Sequence, residues 1–330
     1  MQTLSGSQSA FRSKILGTGS YLPEKILTNA DLEKIVETTD QWIVERSGIK
    51  KRHVIGDDQM TSDMAVAAAE KAIIESGLDR NQIDMILCAT TTPDMVFPAT
   101  AAIIQKKLNI TNHCAAFDVQ AVCAGFIFAL STADQYIRSG SAKNILIIGA
   151  DAMTRLVDYT DRSTCVLFGD GAGAMILGVA DEGDTSDILA TRLHTDGHLN
   201  DILKCEGYVG AGQDFGYLAM EGKDVFKTAV TYLTEVMQET LDIAGLHGSD
   251  LDYIVPHQAN QRIMDATAKK VGAREGSVIS TIADHGNSSA ASIPLAFDVA
   301  VKDGRLKRGH KILMEAIGGG MSWGGCVLIY

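Results

Sequence analysis

The sequence repeats itself, and this repetition limits the possible fold more than any other feature. The apolar segment 83–87 (IDMIL) comes four residues after a Gly-Leu pair, and segment 251–255 (LDYIV) does the same 168 residues later. Segment 143–147 (KNILI) matches segment 310–314 (HKILM) at an offset of 167 residues. Two matches in the same order at nearly the same offset indicate a duplicated unit.

Short buried strands alternate with helical periods in each half. Apolar spacing predicts helices over residues 62–76, 124–139 and 225–244, and a Gly-rich apolar strand closes each half, at 171–177 and 323–329. Strands separated by helices predict an α/β fold with mostly buried sheets, and two such units packed together give five layers, αβαβα. The predicted divisions are an N-terminal extension (1–12), a first half (13–181) and a second half (182–330).

Composition and charge exclude several classes of protein. The chain has 330 residues and a formal net charge of −12, which disfavours binding to nucleic acid or to an anionic membrane. It has no apolar run near the roughly 18 residues of a membrane span, and its first residues lack a signal core. We therefore predict a cytoplasmic protein whose six cysteines are thiols. The absence of a CxxC pair disfavours structural zinc, and the cysteines predicted to pack in the core are Cys88, Cys114, Cys165 and Cys326.

Cys123 differs from the other cysteines because it lies where a strand turns into a helix. Residues 117–122 indicate a strand and a turn, and the helical period begins at Ala124. Unpaired N–H groups at a helix start favour an anion, and they can lower the pKa of a thiol from about 8.5 by one unit or more. Cys123 is therefore a candidate ionised nucleophile. The alternative is a small residue that packs a tight junction.

Two further segments carry polar side chains that could join Cys123. His257 directly follows the strand at 251–255, at the end of the strand where α/β folds bind ligands. Asn287 lies in a Gly-Asn turn before a helix and could donate a hydrogen bond, although a turn asparagine is the alternative. His285 is the weaker candidate, since turn geometry alone explains its loop.

Three consecutive glycines, 318–320, follow the last repeated strand. Such a run lets a backbone N–H approach a substrate closely, and an N–H that faces Cys123 would form an oxyanion hole. A phosphate loop is the alternative, both here and for the Gly-rich segment 169–174. Neither segment contains the Gly-Lys-Ser/Thr of a Walker A loop or follows the first strand as a dinucleotide fingerprint does.

Four motifs together resemble β-ketoacyl-acyl carrier protein synthase III, a condensing enzyme of the thiolase fold. They are AVCAGF at 121–126, HQAN at 257–260, GNSSAASIP at 286–294 and GGGMSWG at 318–324. Two N-terminal segments, KILGTGSYLP at 14–23 and WIVERSGI at 42–49, match the family as well. The resemblance extends from residue 13 to the C-terminus, and a duplicated α/β unit is what a thiolase-like fold would show.

The resemblance implies a decarboxylative condensation of an acyl-CoA primer with malonyl-acyl carrier protein, which yields 3-oxoacyl-acyl carrier protein, CoA and CO2 and starts fatty acid synthesis. Cys123 would carry the acyl group, and His257 and Asn287 would stabilise the carbanion. The N–H groups of Cys123 and Gly319 would form the oxyanion hole. Loss of CO2 replaces proton abstraction, so neither a carboxylate base nor a cofactor is expected.

The resemblance also assigns binding residues. Phe97 would close the primer pocket of the other subunit in a homodimer. Residues similar to those that contact CoA are Trp42, Arg46, Arg162 and Asn260.

Acyl carrier protein is acidic like this chain, so its docking requires a local basic patch on the surface. The alternative is that the basic residues of this region are scattered and only make the surface soluble. The residues we expect in that patch are Lys227, Arg262, Lys269 and Lys270.

Some positions depart from the family pattern, and rival functions are open. Ser288, Met321, Ser322 and Lys223 replace residues that are usual in the family. Met321 and Lys223 leave primer size and CoA affinity open. The nearest rival is a synthase of the same fold that uses a long-chain or aromatic primer. A thiolase is disfavoured because residues 315–318 lack a second cysteine. An NAD-dependent oxidoreductase lacks its fingerprint, and a non-catalytic acyl-CoA binding protein would not need Cys123 with its polar partners.

Overall fold

The structure is a computed structural model that describes residues 11–207 and 216–330. Most of the predicted extension, residues 1–12, lies outside the described residues. The strands are β1 (Ser13–Tyr21), β2 (Lys25–Thr28), β3 (Lys51–Val54), β4 (Met85–Ala89), β5 (Ala115–Val119), β6 (Asn144–Ala152), β7 (Asp170–Val179), β8 (Asp187–Thr195), β9 (Leu203–Cys205), β10 (Leu218–Met220), β11 (Tyr253–Pro256), β12 (Lys311–Gly318) and β13 (Ser322–Ile329). The helices are α1 (Asn29–Leu32), α2 (Asp40–Ser47), α3 (Thr61–Ser76), α4 (Thr100–Lys107), α5 (Gly125–Arg138), α6 (Arg162–Cys165), α7 (Gly222–Ala244), α8 (Gln261–Lys270), α9 (Ile282–His285) and α10 (Ser292–Lys302).

Two sheets of matching topology form the frame of the molecule. The first has the strand order β1-β7-β6-β4-β5, and the second has the order β11-β12-β13-β8. In the first sheet β4 runs parallel to β6, and β6 runs antiparallel to β7. In the second sheet β11 runs parallel to β12, and β12 runs antiparallel to β13. The duplication predicted from the sequence is therefore confirmed, whereas the division between residues 181 and 182 stays a prediction.

Helices pack on both faces of each sheet and complete the five predicted layers. α5 and α10 lie between the sheets, because Phe126 and Phe297 share one apolar cluster with Ile147 and Met314. α3 and α4 cover the outer face of the first sheet. α7 and α8 cover the outer face of the second sheet. Burial of both faces explains why the strands are apolar along their length instead of alternating.

The helices begin and end close to the residues that periodicity predicts. α3 ends before Gly77 and α5 ends two residues before Gly140, and both glycines have the positive φ that ends a helix (71° and 75°). α7 begins at Gly222, three residues before the predicted start at Val225. The extra turn is polar, so its residues carry no apolar period to reveal it. No helix in the described ranges is long and apolar enough to cross a membrane.

The cysteines follow the predicted burial with one exception. Cys88, Cys165 and Cys326 are buried as predicted. Cys114 is only half-buried, because it lies in the loop before β5, the edge strand of the first sheet. Burial of a strand at a sheet edge is incomplete, which the apolar residues after Cys114 do not reveal.

Candidate active site

Cys123 lies in a short 3-10 turn, Val122–Ala124, that leads directly into α5. The turn is strained at Val122, a β-branched residue held at a φ of 48°. The backbone N–H of Val122 donates to the side-chain oxygen of Gln120, with an N–O distance of 3.1 Å. This geometry places the sulfur of Cys123 at the start of a helix, as predicted, with the side chain only 5% exposed.

The surroundings of Cys123 nonetheless oppose ionisation of its thiol. Burial raises the pKa of Cys123 to about 12, and the nearby charge of Asp151 raises it further, while the Ser289 hydroxyl and the cysteine's own N–H lower it. Burial therefore opposes the thiolate that the helix start predicts, and that thiolate stays a prediction. If the thiol is protonated in the free protein, its proton leaves as the sulfur reacts.

His257 directly follows β11, and its backbone N–H donates to the carbonyl oxygen of Glu315 on β12 at 2.8 Å. The ring is 4% exposed, and its Nδ1 lies 2.6 Å from Oγ of Ser292. Burial lowers the pKa of His257 to about 3. The imidazole is therefore neutral at physiological pH, so it is suited to donate a hydrogen bond and not to supply a positive charge.

Asn287 is held by its backbone and by its side-chain oxygen. Its N–H donates to the carbonyl of Leu167, and its carbonyl accepts from the N–H of Gly169. Its Oδ1 accepts from the N–H of Ser289 at 2.9 Å. Because the oxygen is engaged, Nδ2 is the group left to donate to a ligand.

One narrow cavity of about 110 Å³ brings the three predicted residues together. Cys123, His257 and Asn287 all line it, and most of the remaining wall is apolar. The cavity shares lining residues, among them Phe226 and Asn260, with a wider opening of about 510 Å³ at the surface. The arrangement is a tunnel that leads from the surface to the sulfur, with hydrogen-bond donors at its inner end.

A second cavity of about 370 Å³ lies on the other side of Cys123. Cys123 and Gly319 both line it, together with apolar side chains that include Met153, Leu156 and Leu218. An acyl group on the sulfur can therefore extend away from the tunnel. The Gly-rich segment approaches Cys123 closely, because a Cβ on Gly318 would lie 2.6 Å from the backbone nitrogen of Cys123.

The residues implied in CoA binding lie at the surface opening of the tunnel. Two guanidinium groups lie over the ring of Trp42, with Arg46 4.7 Å and Arg162 4.9 Å from the ring centre. An adenine would have to displace Arg162 to lie between it and Trp42. Asn260 lines the tunnel, but its side chain also caps α8, since Oδ1 accepts from the N–H of Arg262 at 2.9 Å.

The remaining predicted residues lie farther from the sulfur. Phe97 is 83% exposed and lines neither cavity beside Cys123. The four basic residues are exposed, and none of them forms an ion pair within the described residues. Arg262 lines the tunnel opening, whereas Lys269 and Lys270 lie at the other end of α8, roughly 10 Å along its axis. Arg262, Lys269 and Lys270 therefore form a band along α8, whereas Lys227 lies on α7, so the four cations are not one compact cluster.

Sequence reasoning ranked His285 correctly as weaker but missed two polar residues around the site. His285 is buried outside the cavity of Cys123, where burial lowers its pKa to about 4. Asp151 and Ser292 were not predicted, although an acid within the apolar run of β6 is a signal that could have pointed to Asp151. The described ranges contain no group of three or more His, Cys, Asp or Glu side chains suited to a metal ion.

The chain is similar throughout its length to one family of proteins. Residues 117–197 match the model of 3-oxoacyl-[acyl-carrier-protein (ACP)] synthase III, and residues 241–330 match its C-terminal part. The chain is 53% identical to β-ketoacyl-[acyl-carrier-protein] synthase III from Thiobacillus denitrificans, over 96% of this chain and 99% of that protein. It is 50% identical to the Neisseria meningitidis enzyme of the same name over similar shares, 96% and 99%. The crystal structure of the Aquifex aeolicus enzyme superposes with a TM-score of 0.92 at 46% identity, covering 96% of this chain and 100% of that one.

Proposed function

The chain belongs to the β-ketoacyl-[acyl-carrier-protein] synthase III family, and from that premise we propose how its residues perform the reaction. It is a condensing acyltransferase that initiates fatty acid synthesis. The observation that carries the proposed mechanism is the convergence of Cys123, His257 and Asn287 on one cavity. Acyl-CoA and malonyl-acyl carrier protein are the proposed substrates.

Acylation of Cys123 is the first proposed step. The sulfur attacks the thioester carbonyl of acyl-CoA, a carbon–sulfur bond forms, and the bond to the CoA sulfur breaks. The thiol proton ends on the departing CoA, so the step needs no stable thiolate. The N–H groups of Cys123 and Gly319 hold the oxyanion, and one such donor contributes about 3–4 kcal/mol.

Decarboxylation of the malonyl group is the second step. Loss of CO2 leaves an electron pair that spreads onto the thioester oxygen. His257 and Asn287 each donate a hydrogen bond to that oxygen, and both are suited to do so because the ring is neutral and the amide oxygen is already engaged. The carbanion then attacks the acyl carbon on Cys123, the carbon–sulfur bond to the enzyme breaks, and the released thiolate takes a proton from solvent water.

Mass spectrometry of the acylated protein tests the first step. Incubation with acetyl-CoA should add one acetyl mass to the tryptic peptide that contains Cys123. Cys123→Ala should abolish the adduct, while Cys114→Ala, which removes a half-buried thiol outside the cavity, should retain it. Absence of an adduct with every acyl-CoA from acetyl upward would reject the mechanism.

A second experiment separates the two steps. His257→Ala and Asn287→Ala should still acquire the acyl group but lose release of CO2 from malonyl-acyl carrier protein. Loss of acylation in both variants would show that the division of roles is wrong.

A panel of acetyl-, isobutyryl-, octanoyl- and benzoyl-CoA identifies the primer, and a preference for octanoyl or benzoyl would favour the synthase with an unusual primer.

We also propose a homodimer that forms along β5. This strand is the edge of the first sheet, and Phe117 on it is 36% exposed. An exposed edge with an apolar side chain is a common place for strand pairing between two chains. Phe97 lies in an exposed apolar loop with Met95 and Val96, and we propose that it reaches the primer pocket of the second subunit. Sedimentation should show a dimer that Phe117→Lys weakens, whereas a wild-type monomer would contradict this proposal.

The basic band along α8 is our proposed docking surface for acyl carrier protein. Arg262 and Lys269 lie seven residues apart on one face of the helix, and neither is neutralised by an ion pair in the described structure. Arg262→Glu or Lys269→Glu should raise the KM for the carrier protein far more than the KM for acyl-CoA. Lys143→Glu, which changes an exposed lysine directly before β6, is the matched control. An equal rise in the KM values for the carrier protein and for acyl-CoA would contradict the docking role.

A cytoplasmic location and the absence of a cofactor also remain proposals. The chemistry supports the second proposal, since decarboxylation supplies the carbanion without a metal or an organic cofactor. Cell fractionation tests the location. Full activity after dialysis against a chelator tests the second proposal, and loss of activity that a metal restores would contradict it.

A further inference from the structure

We propose that Ser292 is a positioning residue for His257: its hydroxyl donates to Nδ1 of the ring and thereby keeps the proton on Nε2, the nitrogen available to the substrate. The inference rests on the proposed function, in which His257 donates a hydrogen bond to the thioester oxygen. A neutral imidazole has only one N–H, so the tautomer decides whether Nε2 can donate at all.

The hydrogen-bond partners of Ser292 identify the tautomer. Oγ of Ser292 lies 2.6 Å from Nδ1 of His257 and 3.3 Å from the backbone nitrogen of Gln258. The backbone N–H of Gln258 can only donate, so Oγ accepts from it. The single hydrogen of the hydroxyl then remains for one acceptor, and Nδ1 is the acceptor within reach.

The opposite arrangement leaves a buried hydrogen without a partner. If Nδ1 carried the proton, it would donate to Oγ, which would then accept two hydrogen bonds. The hydroxyl hydrogen of Ser292 would have no acceptor among the described residues. Ser292 is 2% exposed, so water does not replace that partner, and a buried polar group without a partner is unfavourable.

The surroundings also hold the ring neutral. Ser292 is the first residue of α10, so Nδ1 of His257 faces the start of a helix, where a positive charge is disfavoured. His257 itself is 4% exposed. The ring therefore reaches the substrate as a neutral donor, which is the form that a helix start and a hydroxyl partner together maintain.

The first half of the molecule shows that this pair is not part of the repeated frame. At the positions equivalent to His257 and Ser292 the first half has Ala89 and Gly125. A Cβ on Gly125 would lie 3.1 Å from the Cβ of Ala89, so the two positions are in contact there as well. The fold thus brings the two positions together in both halves, and only the second half places an imidazole and a hydroxyl on them.

Nitrogen NMR of the wild-type protein tests the proposal without any variant. Spectra of protein labelled with ¹⁵N-histidine distinguish the two tautomers, and His257→Ala assigns the signal. The expected result is an unprotonated Nδ1 and a protonated Nε2 across neutral pH. A protonated Nδ1 would overturn the proposal. This readout does not depend on turnover, so it stands even if Cys123 fails to acquire an acyl group and the proposed function is wrong.

Variants of Ser292 test the consequence for the reaction. Ser292→Ala should lower the rate of malonyl decarboxylation at least about tenfold, because the tautomer is no longer enforced, while acylation of Cys123 stays within about threefold. Ser292→Thr retains the hydroxyl and should restore most of the rate. Ser277→Ala, which deletes another buried hydroxyl of the second half, is the control. Wild-type decarboxylation in Ser292→Ala, or equal loss of both steps in a folded variant, would contradict the proposal.

Discussion

The two halves of the molecule share one backbone but place different chemistry on it. Cys123 and Ala290 occupy equivalent positions, each in a short 3-10 turn at the start of a helix that lies between the sheets. The residue before each has a positive φ, 48° at Val122 and 52° at Ser289. Strain of the same kind at both turns belongs to the repeated frame, and only the side chain that follows makes one turn reactive.

The ends of the two central strands differ in a way that favours the proposed oxyanion hole. Asp151 near the end of β6 and Gly318 at the end of β12 are equivalent. Oδ2 of Asp151 accepts a hydrogen bond from the N–H of Ala290 at 3.1 Å. Gly318 has no side chain, and a Cβ there would lie 2.6 Å from the nitrogen of Cys123. The first turn therefore keeps its N–H available for substrate, whereas a carboxylate occupies the second.

Gly318→Ala tests this difference between the two turns, and we expect it to have the largest effect of all the substitutions. The new Cβ would force the Gly-rich turn away from Cys123, so acylation should fall about 10²–10³-fold, the loss expected for one oxyanion donor. The measurement is the single-turnover rate of acyl transfer from acyl-CoA. Gly197→Ala is the control, because a Cβ there meets nothing within 4 Å. Acylation within threefold of wild type would show that position 318 does not keep the hole open.

Removal of Asp151 should mainly lower stability. Oδ1 of Asp151 accepts from Thr90, Thr91 and Thr92, and Oδ2 accepts from Ala290. Asp151→Ala leaves these buried donors without an acceptor and should lower the free energy of unfolding by about 3 kcal/mol or more. Asp151→Asn retains an acceptor and should cost clearly less. Chemical denaturation measures both, and equal losses would mean that packing, not hydrogen bonding, is what Asp151 contributes.

Glu315 offers a third contrast between the halves. Glu315 is the equivalent in the second half of Ile148 in the first half. Its Oε2 is buried without a hydrogen-bond partner among the described residues. Burial raises the pKa of Glu315 to about 8, above the usual value of about 4.3 for the unfolded chain. Between these two values the folded protein holds more protons than the unfolded one, so stability falls as pH rises, by up to about 1.4 kcal/mol per pH unit.

Glu315→Gln removes this dependence. The variant should resemble wild type near pH 4.5 and should be more stable at pH 8, where wild type carries the cost of a buried negative charge. Urea unfolding at both pH values measures the difference. Glu70→Gln changes an exposed glutamate and should leave the pH slope unchanged. A wild-type slope in Glu315→Gln would assign the pH dependence to other groups.

The repeated frame could be predicted because its signals are local. Offsets of 167 and 168 residues, apolar runs and glycines at helix ends are properties of neighbouring residues, and they yield the five layers. Cys123, His257 and Asn287 were found because each lies in a recognisable motif at the end of a strand or in a turn. Their convergence follows from the duplication, which brings equivalent strand ends to the centre of the molecule.

Properties set by distant contacts could not be predicted. Ser292 lies among small residues with no periodic signal, and its role depends on a ring that is 35 residues away in the chain. The pKa of Cys123 depends on how completely packing excludes water, which a helix start does not reveal. The start of a helix is visible in the sequence, whereas desolvation by both halves is visible only in the fold.

The smallest expected effect concerns the charge of Asp151 and the reactivity of Cys123. That charge helps to raise the pKa of the thiol, although burial contributes more. Because the pKa of Cys123 is raised to about 12, the thiolate fraction at lower pH should rise tenfold per pH unit. The rate of alkylation by iodoacetamide should rise with it. Asp151→Asn should shift this profile to lower pH and speed alkylation at pH 8 by a few-fold. Because burial is unchanged in the variant, a profile identical to wild type would show that water exclusion alone, and not the carboxylate of the opposite turn, holds the proton on Cys123.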